Sequence, residues 1–194
     1  MALVQRQYKS YGQYVNRQGG KRHLVAKFQK HALWFAKYFR AAAPHLRRGR
    51  VLCLGARTGA EIQGAILAGF VGSRGIDLQP LKTDFPPLIA GDWHNIPFQA
   101  HEFDNAYSNS LDHCYSLTQM CAEIRRVLVP GGRFYVMATN RHNHTVEEFL
   151  RGMPHEALYW DDVKDLQNGI VATGFSVVAE WQYRKWVHTV FEVQ

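Results

Sequence analysis

The sequence predicts an α/β fold: a three-layer sandwich on a mostly parallel seven-stranded sheet, with an antiparallel C-terminal hairpin strand and extra N-terminal helices. Three observations predict it. Short apolar runs alternate with amphipathic segments from Val51 onward, the pattern of a parallel sheet with helices on both faces. The first run, Val51–Leu54, enters glycines at 55 and 59 and then a helical pattern, the strand–turn–helix unit that brings a thin backbone and free N–H groups to a ligand. The last two strand-like runs are joined by only a few residues, too few for a crossover, so they pair antiparallel.

Taken in order, Tyr8, Tyr11 and Tyr14 recur at near-helical spacing until Gly19-Gly20 breaks the run. A second helix carries an apolar stripe from Leu24 through Phe28, Trp34, Phe35, Tyr38 and Phe39 and ends before Pro44. The stripe reads as core packing. Strand 51–54 follows, then a helix over about 60–68 closed by Gly69, strand 71–77 and a short strand 88–90. Strand 103–108 leads to a helix over about 117–128, the Pro130-Gly131-Gly132 turn and strand 133–138. A long polar loop precedes a helix over about 161–172, stopped by Gly174, and strands 175–181 and 186–193 complete the pattern.

A length of 194 residues suits one domain with an ample core. No apolar run approaches the length of a membrane span, and none stands behind Met1, so neither a transmembrane segment nor a secretory signal is expected. Three cysteines without a CxxC motif fit a reducing, cytoplasmic setting. Charge is concentrated at one end. Residues 1–50 hold twelve Lys or Arg and no acid, and the first acid is Glu61. The asymmetry favours an anionic partner: a phosphate or carboxylate substrate, RNA or a membrane surface. A solvated basic helix face is the competing reading.

The glycine turn alone indicates a nucleoside ligand. Asp77 stands eighteen residues after Gly59 at the tip of the second strand, where a carboxylate grips a ribose diol. A nicotinamide site would show G-x-G-x-x-G, whereas here the spacing is Gly55-x-x-x-Gly59 with Arg57 between. With Gly91-Asp92, the run Phe103 to His113 and the run Arg125 to Val136, the pattern resembles the class I S-adenosylmethionine-dependent methyltransferases, in the group of small single-domain enzymes called type 11. The resemblance covers residues 50 to 140 in consecutive order together with the terminal hairpin, and Pro130-Gly131-Gly132 is its most specific part. It implies a Rossmann-like methyltransferase domain over 49–194, with S-adenosyl-L-methionine as cofactor. Residues 1–48 become a basic helical segment and a candidate lid over the site.

The resemblance implies contacts from Gly55, Ala56 and Gly59 to the methionine part of the cofactor, and from Asp77 with Leu78 to the ribose. Asp92 would meet the adenine amino group, with Trp93 as a stacking face, and Asn109 would touch the cofactor from the substrate-facing loop. Two residues depart from the family pattern. Cys53 stands where the family usually has an acid that orders the loop or meets the amino acid end of the cofactor; Glu61 and Asp112 are candidates to replace it. Arg57 replaces the middle glycine; it is a cofactor-binding candidate for the carboxylate, or an ion-pair partner across the loop.

Methyl transfer is an in-line displacement, so the protein supplies alignment and, for a hydroxyl nucleophile, a base. His113 is the candidate base, with Asp112 or Asp92 to orient it and Asn109 beside it; capping the next helix is its structural alternative. His94, His142 and His144 lie in loops at the same sheet edge and are candidate substrate contacts, as are Tyr11, Tyr14, Gln18 and Lys21 of the lid. Asp92, His94, Asp112 and His113 match no dedicated metal motif, and no metal is expected. The leading function is methyl transfer to a hydroxyl or similar nucleophile of a small, anionic or sugar-like acceptor. RNA modification through the basic helices and a non-catalytic scaffold are the alternatives. The Asn-Pro-Pro-aromatic signature of amino-methylating nucleic-acid enzymes is missing after strand four, where Ser108-Asn109-Ser110-Leu111 stands.

Overall fold

A computed structural model describes residues 3–18, 27–81, 85, 87–140, 145–152 and 156–194. Lys21, His142 and His144 lie outside the described residues. The chain runs β1 (Val4–Gln5), α1 (Tyr11–Arg17), α2 (Phe28–Ala42), β2 (Val51–Leu54), α3 (Ala60–Leu67), β3 (Arg74–Asp77), β4 (Leu88–Ala90) and β5 (Phe103–Ser108). It continues through α4 (Leu117–Val127), β6 (Leu128–Thr139), α5 (Val146–Gly152), β7 (Leu158–Tyr159), α6 (Val163–Val171), β8 (Phe175–Tyr183) and β9 (Trp186–Val193).

Seven strands form one sheet in the order β4-β3-β2-β5-β6-β9-β8, with β9 antiparallel to both its neighbours. Side-chain alternation along the strands divides the core in two. Leu52, Leu54, Phe134 and Val136 face α4 and α6, where they meet Met120, Ile124, Leu166 and Ile170. Val51, Cys53, Tyr107, Tyr135 and Met137 face the other way, among Phe35, Tyr38, Phe39 and Ile62 from α2 and α3. Helix α2 is therefore part of the sandwich. The apolar stripe supplies this layer through Phe35, Tyr38 and Phe39, each 5% exposed or less.

Serine and aspartate caps set helix starts as their chemistry requires. The Ser10 hydroxyl accepts from Gln13 N before α1, Ser116 from Gln119 N before α4, and Asp162 from Lys164 N before α6.

Three elements differ from the sequence reading. Strand β3 starts at Arg74 rather than 71, because exposed Val71 and Gly72 form a turn. Pro130-Gly131-Gly132 lies inside β6 as a bulge; pairing with β5 jumps from Phe103↔Leu128 to Asn105↔Arg133. The long polar loop contains α5 and β7, and β7 pairs antiparallel with β1. Among the described residues no helix is long and apolar enough to cross a membrane.

Candidate active site

The connections from β2 and β5 leave these neighbouring strands in opposite directions, toward β3 and β4 on one side and toward β6 on the other. Open α/β sheets place ligands at the carboxyl ends of strands where the order reverses in this way. Register brings the ends together: Leu54 pairs with both Ile76 and Ser108, so Gly55, Asp77 and Asn109 emerge at one edge.

A cavity of about 300 Å³ opens there, within the range of small-molecule sites. Its wall comprises Gly55, Arg57 and Thr58 from the turn after β2, and Ala60 and Glu61 from the first turn of α3. Ile76, Asp77 and Leu78 come from the end of β3, Gly91 and Trp93 from beyond β4, and Asn109, Ser110 and His113 from beyond β5. Helix α2 adds His31, Trp34 and Phe35, while α1 and its C-cap add Tyr14 and Gln18.

Gly55 is required by both backbone and space. Its φ is +73°, and a Cβ there would lie 3.1 Å from the Trp93 ring and 3.3 Å from Ser110 Cβ. The turn does not aim its first N–H groups at a ligand, since Gly55 N and Ala56 N both donate to the Ile76 carbonyl, at 2.9 and 3.1 Å. Ala56 is fully buried, and neither it nor Gly59 is among the wall residues.

Asp77 is buried and faces the cavity, accepting from Gln79 N at 2.8 Å. The Arg57 Nε lies 3.6 Å from the same carboxylate oxygen, and Arg57 Nη2 donates to the Gln18 carbonyl at 2.9 Å. Arg57 thus joins the end of α1 to the acid at the tip of β3.

Two tyrosines fasten the same helix. Tyr14 Oη donates to the main-chain oxygen of His113 at 3.0 Å, and Tyr11 Oη donates to Asp92. Burial raises both phenols above their ordinary value, so each remains a donor at neutral pH. Their rings pack with Tyr8 and Tyr115 at centroid distances of 5.2 to 5.9 Å.

Asp92 also accepts from His94, through main-chain N at 2.9 Å and ring Nδ1 at 2.8 Å. Burial raises this carboxyl, but the hydrogen bonds from His94 and Tyr11 outweigh it and hold Asp92 below the usual carboxylate value. His94 Nε2 accepts from Ser116 N at 3.1 Å, which leaves the proton on Nδ1. Neither Asp92 nor His94 lines the cavity; they tie α1 to the start of α4. His113 does line it, with Nε2 3.7 Å from Asp112 Oδ2. Among the described residues no group of three His, Cys, Asp or Glu is arranged to hold a metal ion.

Cys53 is fully buried in β2 on the α2–α3 side, away from the cavity wall. Glu61 stands in the wall instead. Burial pushes its carboxyl up to about 7, with Asp77 adding to the shift and the main-chain N–H of Glu61 opposing it. Sequence reasoning gave His31, Trp34 and Phe35 no part in the site. Their i, i+3, i+4 spacing was the available signal that they share a face.

The structure therefore gathers Gly55, Arg57, Asp77, Leu78, Trp93, Asn109, His113 and Tyr14 around one cavity, while Ala56, Gly59, Asp92, His94, Asp112 and Tyr11 stand outside its wall. Residues 68–136 match a family model described as a methyltransferase domain. The sterol 4-C-methyltransferase strm-1 of Caenorhabditis elegans is 34% identical over 77 residues, 38% of this chain and 23% of that protein. Among solved structures, a chain from the complex of the Haloferax volcanii Trm112 methyltransferase activator with its methyltransferase has a TM-score of 0.69 at 18% identity, covering 90% of this chain and 99% of that one. The Burkholderia thailandensis 1,6-didemethyltoxoflavin-N1-methyltransferase, with bound 1,6-didemethyltoxoflavin and S-adenosylhomocysteine, has a TM-score of 0.66 at 16% identity, covering 98% of this chain and 93% of that one.

Proposed function

We propose that the chain is a class I S-adenosylmethionine-dependent methyltransferase, a reading supported by the methyltransferase-domain match over residues 68–136 and the similarity to a sterol methyltransferase, and that it methylates a hydroxyl or similar nucleophile of a small, polar, sugar-like acceptor enclosed beneath helix α1. The carrying observation is the convergence on one cavity of Gly55 and Glu61 after β2, Asp77 at the end of β3, and Asn109 and His113 after β5. The wall fits the cofactor. A narrow glycine turn at Gly55, the buried carboxylate of Asp77 at the ribose position and Glu61 all line the same space.

S-adenosylmethionine, when bound, supplies an activated methyl group on a sulfonium sulfur. The chain's own task is then alignment, water exclusion and removal of one proton. Asp77 holds the ribose diol, with Leu78 beside it. Trp93 and Trp34 offer flat faces to rings. His113 takes the acceptor proton, and Asp112 orients its imidazole. Helix α1, secured through Tyr14, Tyr11 and the Arg57–Gln18 bond, covers the acceptor as a lid, while α2 belongs to the sandwich.

Charge in the wall favours an uncharged acceptor over an anion. Among the described residues Arg57 is the wall's fixed cation, and it is engaged by Asp77 and the Gln18 carbonyl. Lys30, Lys37 and Arg40 are on the exposed side of α2.

The test is transfer of labelled methyl from S-adenosylmethionine into hydroxylated small molecules and, in parallel, into total RNA. Label should enter the small-molecule fraction and be lost in His113→Ala. Label confined to RNA would overturn the acceptor class, and none in either would favour the scaffold.

A further inference from the structure

We infer that Glu61, standing in for the acid that Cys53 displaces, binds the α-ammonium group at the amino acid end of the cofactor. This rests on the cofactor reading above and goes beyond it to a residue of this chain.

The inference starts from an unsatisfied group. Glu61 lies in the first turn of α3 with its side chain in the cavity wall, and its Oε2 is buried with no hydrogen-bond partner among the described residues. A buried carboxylate oxygen without a donor costs desolvation that nothing repays, and the groups that repay it best are cationic donors. Among the described residues, the cation of the same wall is otherwise placed. Arg57, in the same wall, bonds to the Gln18 carbonyl and pairs with Asp77. Asp77 adds to the raising of the Glu61 carboxyl, and Glu61 in turn adds to the raising by burial of the Cys53 thiol and the Tyr107 phenol; none of these three groups is cationic.

Position identifies the missing donor. Asp77 marks the ribose end of the cavity, and His113 and Asn109 mark the side of the acceptor. Glu61 follows the glycine turn of β2, where the methionyl part of the cofactor must end. Burial raises the thiol of Cys53 and the charge of Glu61 adds to it, so the two side chains occupy one electrostatic neighbourhood on successive elements. The acid of this chain stands in the first turn of the helix that follows the strand, and its residue lines the cavity.

The experiment is calorimetric titration of wild type and Glu61→Gln with two probes: S-adenosylhomocysteine, which carries the amino acid end, and 5′-methylthioadenosine, which lacks it. Glu61→Gln should weaken S-adenosylhomocysteine about 10- to 100-fold, the range of a hydrogen bond to a charged group, and leave methylthioadenosine within about twofold. Binding of methylthioadenosine by the variant also shows that its site is folded. Equal losses for both probes, or no loss for either, would overturn the inference and leave the cofactor assignment standing. If wild type binds neither probe, the cofactor reading falls, and this inference with it.

Discussion

Replacing Glu61 by Gln should stabilise the empty protein, and by an amount that grows with pH. Burial lifts the folded-state carboxyl from the ordinary 4.5 to about 7, while the unfolded chain keeps the ordinary value. The folded state therefore holds a proton that the unfolded state has released, so the stability Glu61 contributes is fully present below 4.5 and is lost as pH rises through 7. A shift of that size corresponds to about 3 kcal/mol at pH 8.5, and water in the cavity reduces it to about 1–3 kcal/mol. For a chain of this length each kcal/mol moves Tm by about 2–4 °C.

His188 works in the opposite direction. It is fully buried, and burial lowers its imidazole from 6.5 to about 4, so its contribution is present above 6.5 and lost as pH falls through 4. Across the interval between, the two effects offset each other and the wild-type curve is flattened. Subtracting the wild-type from the Glu61→Gln unfolding free energies, measured by urea titration at pH 5 and pH 8.5, cancels His188 and isolates the carboxyl. The difference should rise by about 1–3 kcal/mol between those two values. A pH-independent difference would refute the reasoning, because it would mean that the Glu61 carboxyl ionises as readily folded as unfolded.

Further outcomes follow from other contacts. Gly64→Ala places a Cβ 2.5 Å from Phe35 Cβ and 3.0 Å from the Ala32 carbonyl oxygen, where α2 crosses α3. It should cost about 1–3 kcal/mol in urea unfolding. Tyr14→Phe removes the donor to the His113 carbonyl, about 1 kcal/mol of local stability. Amide exchange in α1 should then quicken about fivefold while that of α4 is unchanged. His113→Asn keeps the main-chain oxygen that receives Tyr14, so α1 should stay in place. kcat should fall about 10²- to 10⁴-fold, with S-adenosylhomocysteine affinity within about twofold of wild type.

The sheet was legible because its signals are local. Val51–Leu54 and Phe103–Ser108 are apolar runs bounded by turn residues, and a few residues between β8 and β9 allow only an antiparallel pair. The small β1–β7 sheet was not. Two-residue strands have no periodicity, and Val4↔Tyr159 and Gln5↔Leu158 pair across most of the chain. The Pro-Gly-Gly segment was visible but misread as a boundary, because a bulge uses the same residues as a turn.

The site divides in the same way. Gly55 and Asp77 follow from strand ends and could be placed by spacing alone. Asp92 was assigned to adenine by position, yet its oxygens receive Tyr11 and His94, and the Tyr11 partnership spans 81 residues. From sequence Arg57 is open to either a ligand contact or an ion pair, and the ion pair with Asp77 is present in the structure. Glu61 was conspicuous as the first acid of the chain, but its unpartnered oxygen exists only once α3 is packed.

Titration of the wild-type chain and Asp77→Ala with S-adenosylhomocysteine tests the central assignment most directly. Saturable one-to-one binding by wild type, abolished in Asp77→Ala, is the predicted result. Binding that survives Asp77→Ala unchanged would place the cofactor elsewhere, and no binding by wild type would contradict the account.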